Sequence, residues 1–307
     1  MLVTDVRLLM SKSKGFVAGV IGYRNHSLNI INILKKNNLI KKIIIFCYKK
    51  KNLNQLIFLN NNKKIYYTNN FSELKNADFH FITSPTQTHL TYIKKLIPYN
   101  KKIFCEKPGL KSVQDYNYLK KIDNKFKKNI FFNYNLIHSK LFKLLKYEMS
   151  KSKKNRIINI SIYSTIGISF LKKFENNWRF ITKNILERIT GNLGVHHVNF
   201  SLNLFSGIKK ILITEKCVAR KNKIDTSSIY IKFKNNSSVN MFLSYATPAT
   251  DRYEYYFNHK IIVCENSKIY SLSPRNYFDK NGLFTRPPKK LIHKFNKSIG
   301  QDSIHSS

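Results

Sequence analysis

Two distant stretches of the sequence carry side chains that could move a proton at a bound hydroxyl group. Asn192 and His196 are four residues apart, so on a helix they share one face and the amide can orient the imidazole. An imidazole beside a hydroxyl can act as a general base while hydride leaves the same carbon. Lys107 could hold that hydroxyl and stabilise negative charge on its oxygen. Alone, His196 also fits a partly buried structural histidine, which is how we interpret the adjacent His197.

Lys107 belongs to one of two motifs that each follow a predicted strand. Residues 82–89 read Ile-Thr-Ser-Pro-Thr-Gln-Thr-His, and residues 103–109 read Ile-Phe-Cys-Glu-Lys-Pro-Gly. Alone, the Glu-Lys-Pro segment would be a charged loop in which proline opens a helix. In open α/β sheets, however, ligands bind at the C-terminal ends of the strands, which is where both motifs are predicted to lie.

An earlier turn could bind phosphate. Residues 22–27 read Gly-Tyr-Arg-Asn-His-Ser, so Gly22 takes the first position of a GxGxxG dinucleotide pattern, while Arg24 and Ser27 replace the later glycines. The second glycine normally lets backbone approach a pyrophosphate, and the guanidinium of Arg24 could contact phosphate instead. We take Gly22, Arg24, Asn25, His26 and Ser27 as candidates. An ordinary strand-to-helix turn remains the alternative.

The residues after the second predicted strand bear on the choice of cofactor. NAD-binding folds usually place an acid there, against the ribose 2′-hydroxyl. Residues 48–51 read Tyr-Lys-Lys-Lys instead. Cations such as Lys49 favour a 2′-phosphate, so the sequence favours NADP slightly over NAD. In so lysine-rich a chain, a solvated lysine face is the alternative.

Apolar patterning predicts two domains, residues 1–134 and 135–307. The first alternates strands with helices, which predicts a Rossmann-type α/β domain with a parallel sheet. The second predicts an α+β domain with a largely antiparallel sheet and one helix within 185–204. The tail from residue 286 is predicted to be a loop leading into a helix that the chain lacks or barely starts. Strands are predicted at 15–22, 43–48, 65–67, 77–83, 102–105, 129–134, 156–164, 211–219, 228–233, 238–245 and 260–263.

The formal net charge of +39 could indicate a nucleic-acid or membrane-surface protein. The excess is nearly all lysine, and it accompanies abundant Asn and Ile, as AT-rich coding would produce. No Arg-rich segment, RNP-like motif or zinc-finger spacing accompanies it, so we predict no specific nucleic-acid partner. A basic nucleic-acid-binding protein remains a third interpretation.

Hydropathy and cysteine usage suggest where the chain resides. No apolar run reaches the roughly 18 residues that span a bilayer, and the first 14 residues lack a signal-peptide pattern. We therefore expect a cytoplasmic protein without membrane contact. The four cysteines, at positions 47, 105, 217 and 264, form no CxxC pair or Cys/His cluster, which predicts small buried hydrophobes and no metal site.

Together these motifs resemble the glucose–fructose oxidoreductase and inositol dehydrogenase (Gfo/Idh/MocA) family. The family has a strand ending in Thr-Pro-Asn-x-x-His, then a helix and a strand ending in Glu-Lys-Pro; here Ser84 to His89 carries a variant of the first motif, and the second is intact. The family's Asp-x-Gly-x-His-x-x-Asp appears from Asn192 as Asn-Leu-Gly-Val-His-His-Val-Asn. Trp178-Arg179 and Phe132-Asn133-Tyr134 resemble further family elements.

The resemblance implies NAD(P)-dependent hydride transfer to or from a carbinol carbon of a sugar, nucleotide sugar or polyol, and a homo-oligomer formed through the second sheet. It puts His196 at the catalytic histidine and Asn192 in place of the catalytic aspartate. Other matched positions are Ser84, Pro85 and His89 beside the nicotinamide, and Glu106 and Lys107 where cofactor meets substrate. An amide cannot stabilise an imidazolium as a carboxylate does. The alternative is therefore a degenerate family member that binds nucleotide or ligand without turnover.

Overall fold

The computed structural model describes residues 15–23, 26–49, 63–175, 180, 185, 188–274 and 278–296. Some of the sequence predictions therefore lie outside the described residues: those on Arg24, Asn25, Lys50, Lys51 and Trp178-Arg179. For His26 only the backbone is described. The chain divides into two compact units, residues 1–133 and 134–307, one residue from the boundary that the sequence pattern suggested.

The first unit is built on a parallel six-stranded sheet with the order β3-β2-β1-β4-β5-β6, which confirms the predicted α/β fold. The order reverses between β1 and β4, at the switch point where such sheets bind ligands. The strands are β1 Phe16–Ile21, β2 Ile40–Phe46, β3 Ile65–Thr68, β4 Phe79–Ile82, β5 Lys102–Cys105 and β6 Ile130–Phe132; the helices are α1 His26–Lys36, α2 His89–Leu96, α3 Val113–Lys121 and the short α4 Asn124–Lys127.

Apolar side chains on both faces of this sheet explain why its strands read as continuous apolar runs. Ala18 and Val20 of β1 belong to a buried cluster with Ile31 of α1. Ile21 belongs to a second cluster with Ile93 of α2, on the other face. Burial on two faces is typical of parallel sheets, and it fixes the C-terminal ends of β1, β4 and β5 side by side.

The second unit contains an eight-stranded sheet with the order β14-β13-β12-β11-β7-β10-β9-β8, in which β7 and β10 are parallel and all other neighbours antiparallel. This confirms the largely antiparallel sheet. The elements are α5 Lys140–Ser150, β7 Ile157–Thr165, a π turn Thr190–Gly194, α6 Val195–Leu204, β8 Ile208–Lys216, β9 Thr226–Phe233, β10 Ser238–Ser244, β11 Thr250–Phe257, β12 Ile261–Glu265, β13 Lys268–Leu272 and β14 Lys290–Lys294.

One detail of the predicted second half was wrong. The tail from residue 286 was expected to be a loop leading into a helix, but residues 290–294 form the edge strand β14. The helix expected within 185–204 is present as α6, which begins at Val195 directly after the five residues of the π turn. Strands β11 and β13 were not predicted.

One apolar core joins α5 and α6 to one face of this sheet. Leu145 of α5 and Phe200 of α6 are buried against strand residues such as Ile160 and Met241. The start of α6, where the candidate histidine lies, is therefore positioned by its packing on the sheet.

Candidate functional site

The turn after β1 is closed by Thr83, a residue that the sequence did not single out. Its hydroxyl donates to the carbonyl of Ile21 at 2.9 Å, so Ser27, whose Oγ lies 2.7 Å away, must donate to Thr83. Gly22 has a φ of 123°, and a Cβ there would lie 2.5 Å from Thr83 Oγ1. Both the conformation and the contact require glycine at this position.

Helix α1 begins directly after this turn, at His26. Ser27 is 1% exposed, and because its hydroxyl is bonded to Thr83, only its backbone remains to contact a cofactor. The free N–H groups of a helix N-terminus are suited to binding phosphate. The third-glycine position is thus filled by a serine that fastens α1 to the residue directly after β4.

His89 joins the two loops that carry the family-like motifs. Its ring is 1% exposed; Nε2 lies 2.8 Å from the carbonyl oxygen of Ser84, and Nδ1 lies 3.0 Å from that of Pro108. Burial lowers the pKa of His89, and the surrounding carbonyl groups oppose that shift. The side chain predicted to flank the nicotinamide is thus enclosed by protein, and any effect it has on a cofactor is exerted through the two loops.

The first of these loops is also tied internally. The hydroxyl of Thr88 donates to the carbonyl of Pro85 at 2.7 Å, so Ser84, whose Oγ lies 2.7 Å from Thr88 Oγ1, must be the donor in that pair. Pro85 is itself exposed. These contacts hold a proline surface at the end of β4, next to the turn after β1.

Glu106 follows β5, and its carboxylate is fixed by Asn133. The Asn133 side-chain amide donates to Glu106 Oε1 at 2.6 Å, and the backbone N–H of Lys107 lies 3.3 Å from Oε2. Asn133 is a site residue that the sequence argument did not list. The sequence feature that could have revealed Asn133 is its position: it directly follows strand β6, as Glu106 directly follows strand β5.

The end of this loop packs closely on β6. A Cβ at Gly109 would lie 2.2 Å from Cδ1 of Phe132, so glycine allows the loop to approach the ring. The peptide bond between Lys107 and Pro108 is cis. Lys107 is half-buried at the C-terminal edge of the sheet, between the fixed carboxylate of Glu106 and the carbonyl group that His89 contacts.

In the second unit, the π turn is fastened to two strands by polar side chains. The hydroxyl of Thr190 lies 2.7 Å from Oε1 of Glu215 on β8 and 2.9 Å from Oγ of Ser227 on β9. Arg188 pairs with the other carboxylate oxygen of Glu215 at 2.9 Å. These partners are far away in sequence, so the turn takes its place only once β8 and β9 have paired.

Asn192 lies within this turn and is oriented by Tyr245. The amide Nδ2 donates to the Tyr245 hydroxyl at 2.7 Å, and Tyr245 is 1% exposed directly after β10. A Cβ at Gly194 would lie 3.0 Å from Cδ1 of Leu243, so glycine lets α6 start close to the sheet. From the sequence, Asn192 was expected on the same helix as His196. In the structure, Asn192 lies in the π turn before α6, and its side chain is bonded to Tyr245, directly after β10.

His196 and His197 open α6 with different surroundings. His196 is partly exposed, whereas His197 is 7% exposed and its ring centroid lies 5.1 Å from that of Tyr253. Burial lowers the pKa of His197 to about 4, an effect that the charge of Asp251 opposes. His197 is therefore buried, as its interpretation as a structural residue requires, whereas His196 is the more exposed of the two.

The remaining sequence expectations concern metals, membranes and thiols. Among the described residues, no group of three His, Cys, Asp or Glu side chains is placed to hold a metal ion. In the same part of the chain, no helix is both long and apolar enough to cross a membrane. Cys47, Cys105 and Cys264 are buried as expected, but Cys217 is exposed, so the prediction was wrong for that cysteine.

The first unit was compared with known protein families. Residues 16–134 match the family described as GFO_IDH_MocA, oxidoreductase family, NAD-binding Rossmann fold. The resemblance drawn from the Glu-Lys-Pro loop and the strand ends is thereby confirmed. No curated protein sequence matches the chain significantly.

Solved structures of Gfo/Idh/MocA-type oxidoreductases share the architecture of both units. UDP-N-acetylglucosamine 3-dehydrogenase from Acidithiobacillus ferrooxidans aligns with a TM-score of 0.70 at 10% identity, covering 95% of this chain and 88% of that one. Levoglucosan dehydrogenase, in complex with NADH and levoglucosan, gives 0.74 at 14%, covering 94% and 87%. Biliverdin reductase from Synechocystis, with biliverdin and NADP+, gives 0.70 at 8%, covering 94% and 88%. At such identities the likeness establishes the fold.

Proposed function

We propose that this protein is an NAD(P)-dependent dehydrogenase or reductase that transfers hydride to or from a carbinol carbon of a sugar, nucleotide sugar or polyol. The observation that carries the proposal is the fixed Glu106-Lys107-Pro108 loop at the C-terminal edge of an NAD-binding Rossmann sheet. Two of the structural neighbours act on sugar compounds, but biliverdin reductase has the same fold. The substrate class therefore rests on the residues rather than on the fold.

The proposed cofactor site uses the switch point of the sheet. Backbone groups of Gly22 to Ser27, with Arg24, Asn25 and His26, bind the phosphates, and Ser84, Pro85 and Glu106 lie on the nicotinamide side. His89 and Asn133 position the loops. The nicotinamide, when bound, accepts or supplies the hydride. The positive φ of Gly22 and the N-terminus of α1 support this assignment.

The proposed chemistry at the substrate uses Lys107 and His196. Lys107 donates a hydrogen bond to the reacting oxygen and stabilises the charge that develops on it. His196 accepts the hydroxyl proton during oxidation and returns it during reduction. Asn192, held by Tyr245, is proposed to orient the imidazole of His196.

The cofactor is proposed to be NADP in preference to NAD. No acid occurs between Phe46 and residue 51, and Lys49 is exposed after β2. Calorimetric titration with NADPH and NADH tests this, and Lys49→Glu is the matched variant. We expect the wild type to bind NADPH more tightly and the variant to lose about five-fold or more of that preference, because one cation near a phosphate contributes on the order of 1 kcal/mol. A clear wild-type preference for NADH would contradict the assignment.

We also propose a homo-oligomer that forms through the open face of the second sheet. Opposite the face packed by α5 and α6, Tyr163 of β7 is 46% exposed, and its ring lies 6.5 Å from that of Phe242 on β10. Sedimentation of the wild type and of Tyr163→Asp tests the proposal. A wild-type monomer, or an oligomer unchanged by the substitution, would contradict it.

A specific observation favours a second function, nucleotide or ligand binding without turnover. Position 192 carries an amide, whose Nδ2 is bonded to Tyr245, so the carboxylate that would stabilise an imidazolium is absent there. Hydride transfer measured with NADH and NADPH against a panel of sugars, polyols and nucleotide sugars separates the two functions. Turnover with any of these supports the dehydrogenase; cofactor binding without turnover across the panel supports the binding protein.

A further inference from the structure

The connection between the last two strands of the second sheet carries an ordered apolar tip. It covers residues 273–289, between β13 and β14, and loops longer than about 12–15 residues are uncommon unless they serve a function. Within it, Phe278 and Phe284 form an antiparallel bridge, and their ring centroids lie 4.9 Å apart. Residues 278–284 are called the hairpin below.

The turn of the hairpin is organised by its own polar groups. The carboxylate of Asp279 accepts from the N–H groups of Asn281 at 2.8 Å and Leu283 at 3.0 Å. The Asp279 backbone N–H donates to Leu283 O at 2.8 Å, and Gly282, at a φ of 78°, donates to Asp279 O at 3.0 Å. The backbone is thus satisfied without burial of any apolar side chain.

The side chains at this tip face water. Phe284 is 83% exposed, Leu283 65% and Phe278 56%. Single exposed apolar residues are normal on protein surfaces, but three adjacent ones on an ordered turn form a patch of the kind that marks an interaction surface. Leu291 and Ile292, on the following strand β14, are also 52% and 42% exposed.

Cations surround the apolar tip. Residues 278–294 contain five lysines and arginines against one acid, Asp279, whose carboxylate is used in the turn. Lys280, Arg286, Lys290 and Lys294 are exposed, and Lys289 pairs with Glu265 at 2.5 Å. The whole chain is basic, so charge alone does not distinguish this region. What distinguishes this region is that its cations lie close in sequence to the exposed side chains of Phe278, Leu283 and Phe284.

We propose that the hairpin docks on the surface of an anionic lipid bilayer. Phe278, Leu283 and Phe284 enter the boundary between headgroups and acyl chains, and the flanking cations lie against lipid phosphates. The absence of a spanning run predicted no membrane contact, but peripheral docking requires no such run. A second copy is a poorer occupant because the same positive charge would face itself. Nucleic-acid bases could stack on the two phenyl rings but would leave the exposed side chain of Leu283 without an apolar environment, which a lipid bilayer supplies.

Vesicle binding by the full chain tests the proposal. Vesicles are made of phosphatidylcholine alone or of equal parts phosphatidylcholine and phosphatidylglycerol, and bound protein is measured by co-sedimentation at low and high salt. Leu283→Ser/Phe284→Ser should reduce binding to the anionic vesicles at least ten-fold, because it removes two apolar side chains from the interface. Val113→Ser, at a position 70% exposed on α3 in the first unit, is the matched control and should bind like the wild type.

Fluorescence separates insertion from attraction by bulk charge. Phe284→Trp should be quenched by lipids brominated on their acyl chains, and Val113→Trp should not. Binding that is independent of the hairpin and fully removed by salt would overturn the proposal in favour of bulk charge. Hairpin-dependent self-association without lipid, or hairpin-dependent binding to DNA but not to vesicles, would also overturn it.

Discussion

The Glu106–Gly109 loop and the π turn before α6 both carry candidate catalytic residues, but different kinds of partners fix them. The loop is held by Asn133, which directly follows β6, and by His89, at the start of the helix that follows β4; both strands belong to the same parallel sheet. The turn is held by Glu215, Ser227 and Tyr245, which lie in or after three strands of the second sheet.

The two regions also compare differently with the family pattern. Strand ends of a parallel sheet meet at one edge, so polar residues at those ends find each other in any member of the fold. The partners of the π turn depend on the register of an antiparallel sheet. In this chain the Glu-Lys-Pro loop matches the family pattern, whereas position 192 departs from it and is bonded to a tyrosine.

The largest effect is expected from His196→Ala. Loss of a general base typically lowers kcat about 100- to 10,000-fold, whereas cofactor affinity should change little because the residue is proposed to act on the substrate and not on the cofactor. Steady-state kinetics and NADPH titration measure both quantities, with His259→Ala, a partly exposed histidine after β11, as the control. Turnover that survives the substitution would remove His196 from the proposed mechanism.

Lys107→Ala tests the loop in the same way. Removing one donor to a developing oxyanion typically costs about 100- to 1,000-fold in kcat. Lys120→Ala, an exposed lysine of α3, should leave kcat unchanged. If both His196→Ala and Lys107→Ala retained activity, the catalytic assignment would be refuted even though the fold stands.

The buried histidine beside the π turn should make stability depend on pH. The pKa of His197 is lowered from 6.5 to about 4 by burial, so the unfolded chain binds more protons between these values. Stability is fully present above about pH 6.5 and is lost as pH falls towards 4, by up to about 3 kcal/mol. Urea unfolding at neutral pH and near pH 5 measures this. His197→Gln cannot titrate and should lose less stability over the same interval; an equal loss in both proteins would assign the effect to other groups.

The smallest change in rate is expected from Asn192→Asp, which nevertheless separates the two proposed functions. Tyr245 can donate to a carboxylate in the place where it now accepts from the amide. A carboxylate near His196 would raise the pKa of the imidazole. Because a general base works only when deprotonated, the rise of kcat/KM with increasing pH should then occur at higher pH, with the maximal activity preserved or raised. If the wild type and this variant both lack turnover, the site serves binding alone.

Most of the first unit could be predicted from the sequence, because a doubly buried parallel sheet leaves continuous apolar runs between helices. The strand Lys102–Cys105 was predicted to the residue. Strand β11 was missed because its outward side chains, among them Arg252 and Glu254, are charged and obscure the alternation of Tyr253, Tyr255 and Phe257. Strands β13 and β14 are short, and the long connection between them hides their pairing.

By itself, the sequence determined the resemblance of the first unit to the family pattern, the alternation of its elements and the Glu-Lys-Pro loop, because local spacing and strand ends encode all three. Only the tertiary structure decided that His89 and Ser27 are enclosed by protein, that Asn133 fixes Glu106, and that Tyr245 orients Asn192. Each of these contacts joins residues at least 19 positions apart. Such pairs meet only after the strands have found their neighbours, and a linear pattern does not record which side chains then face each other.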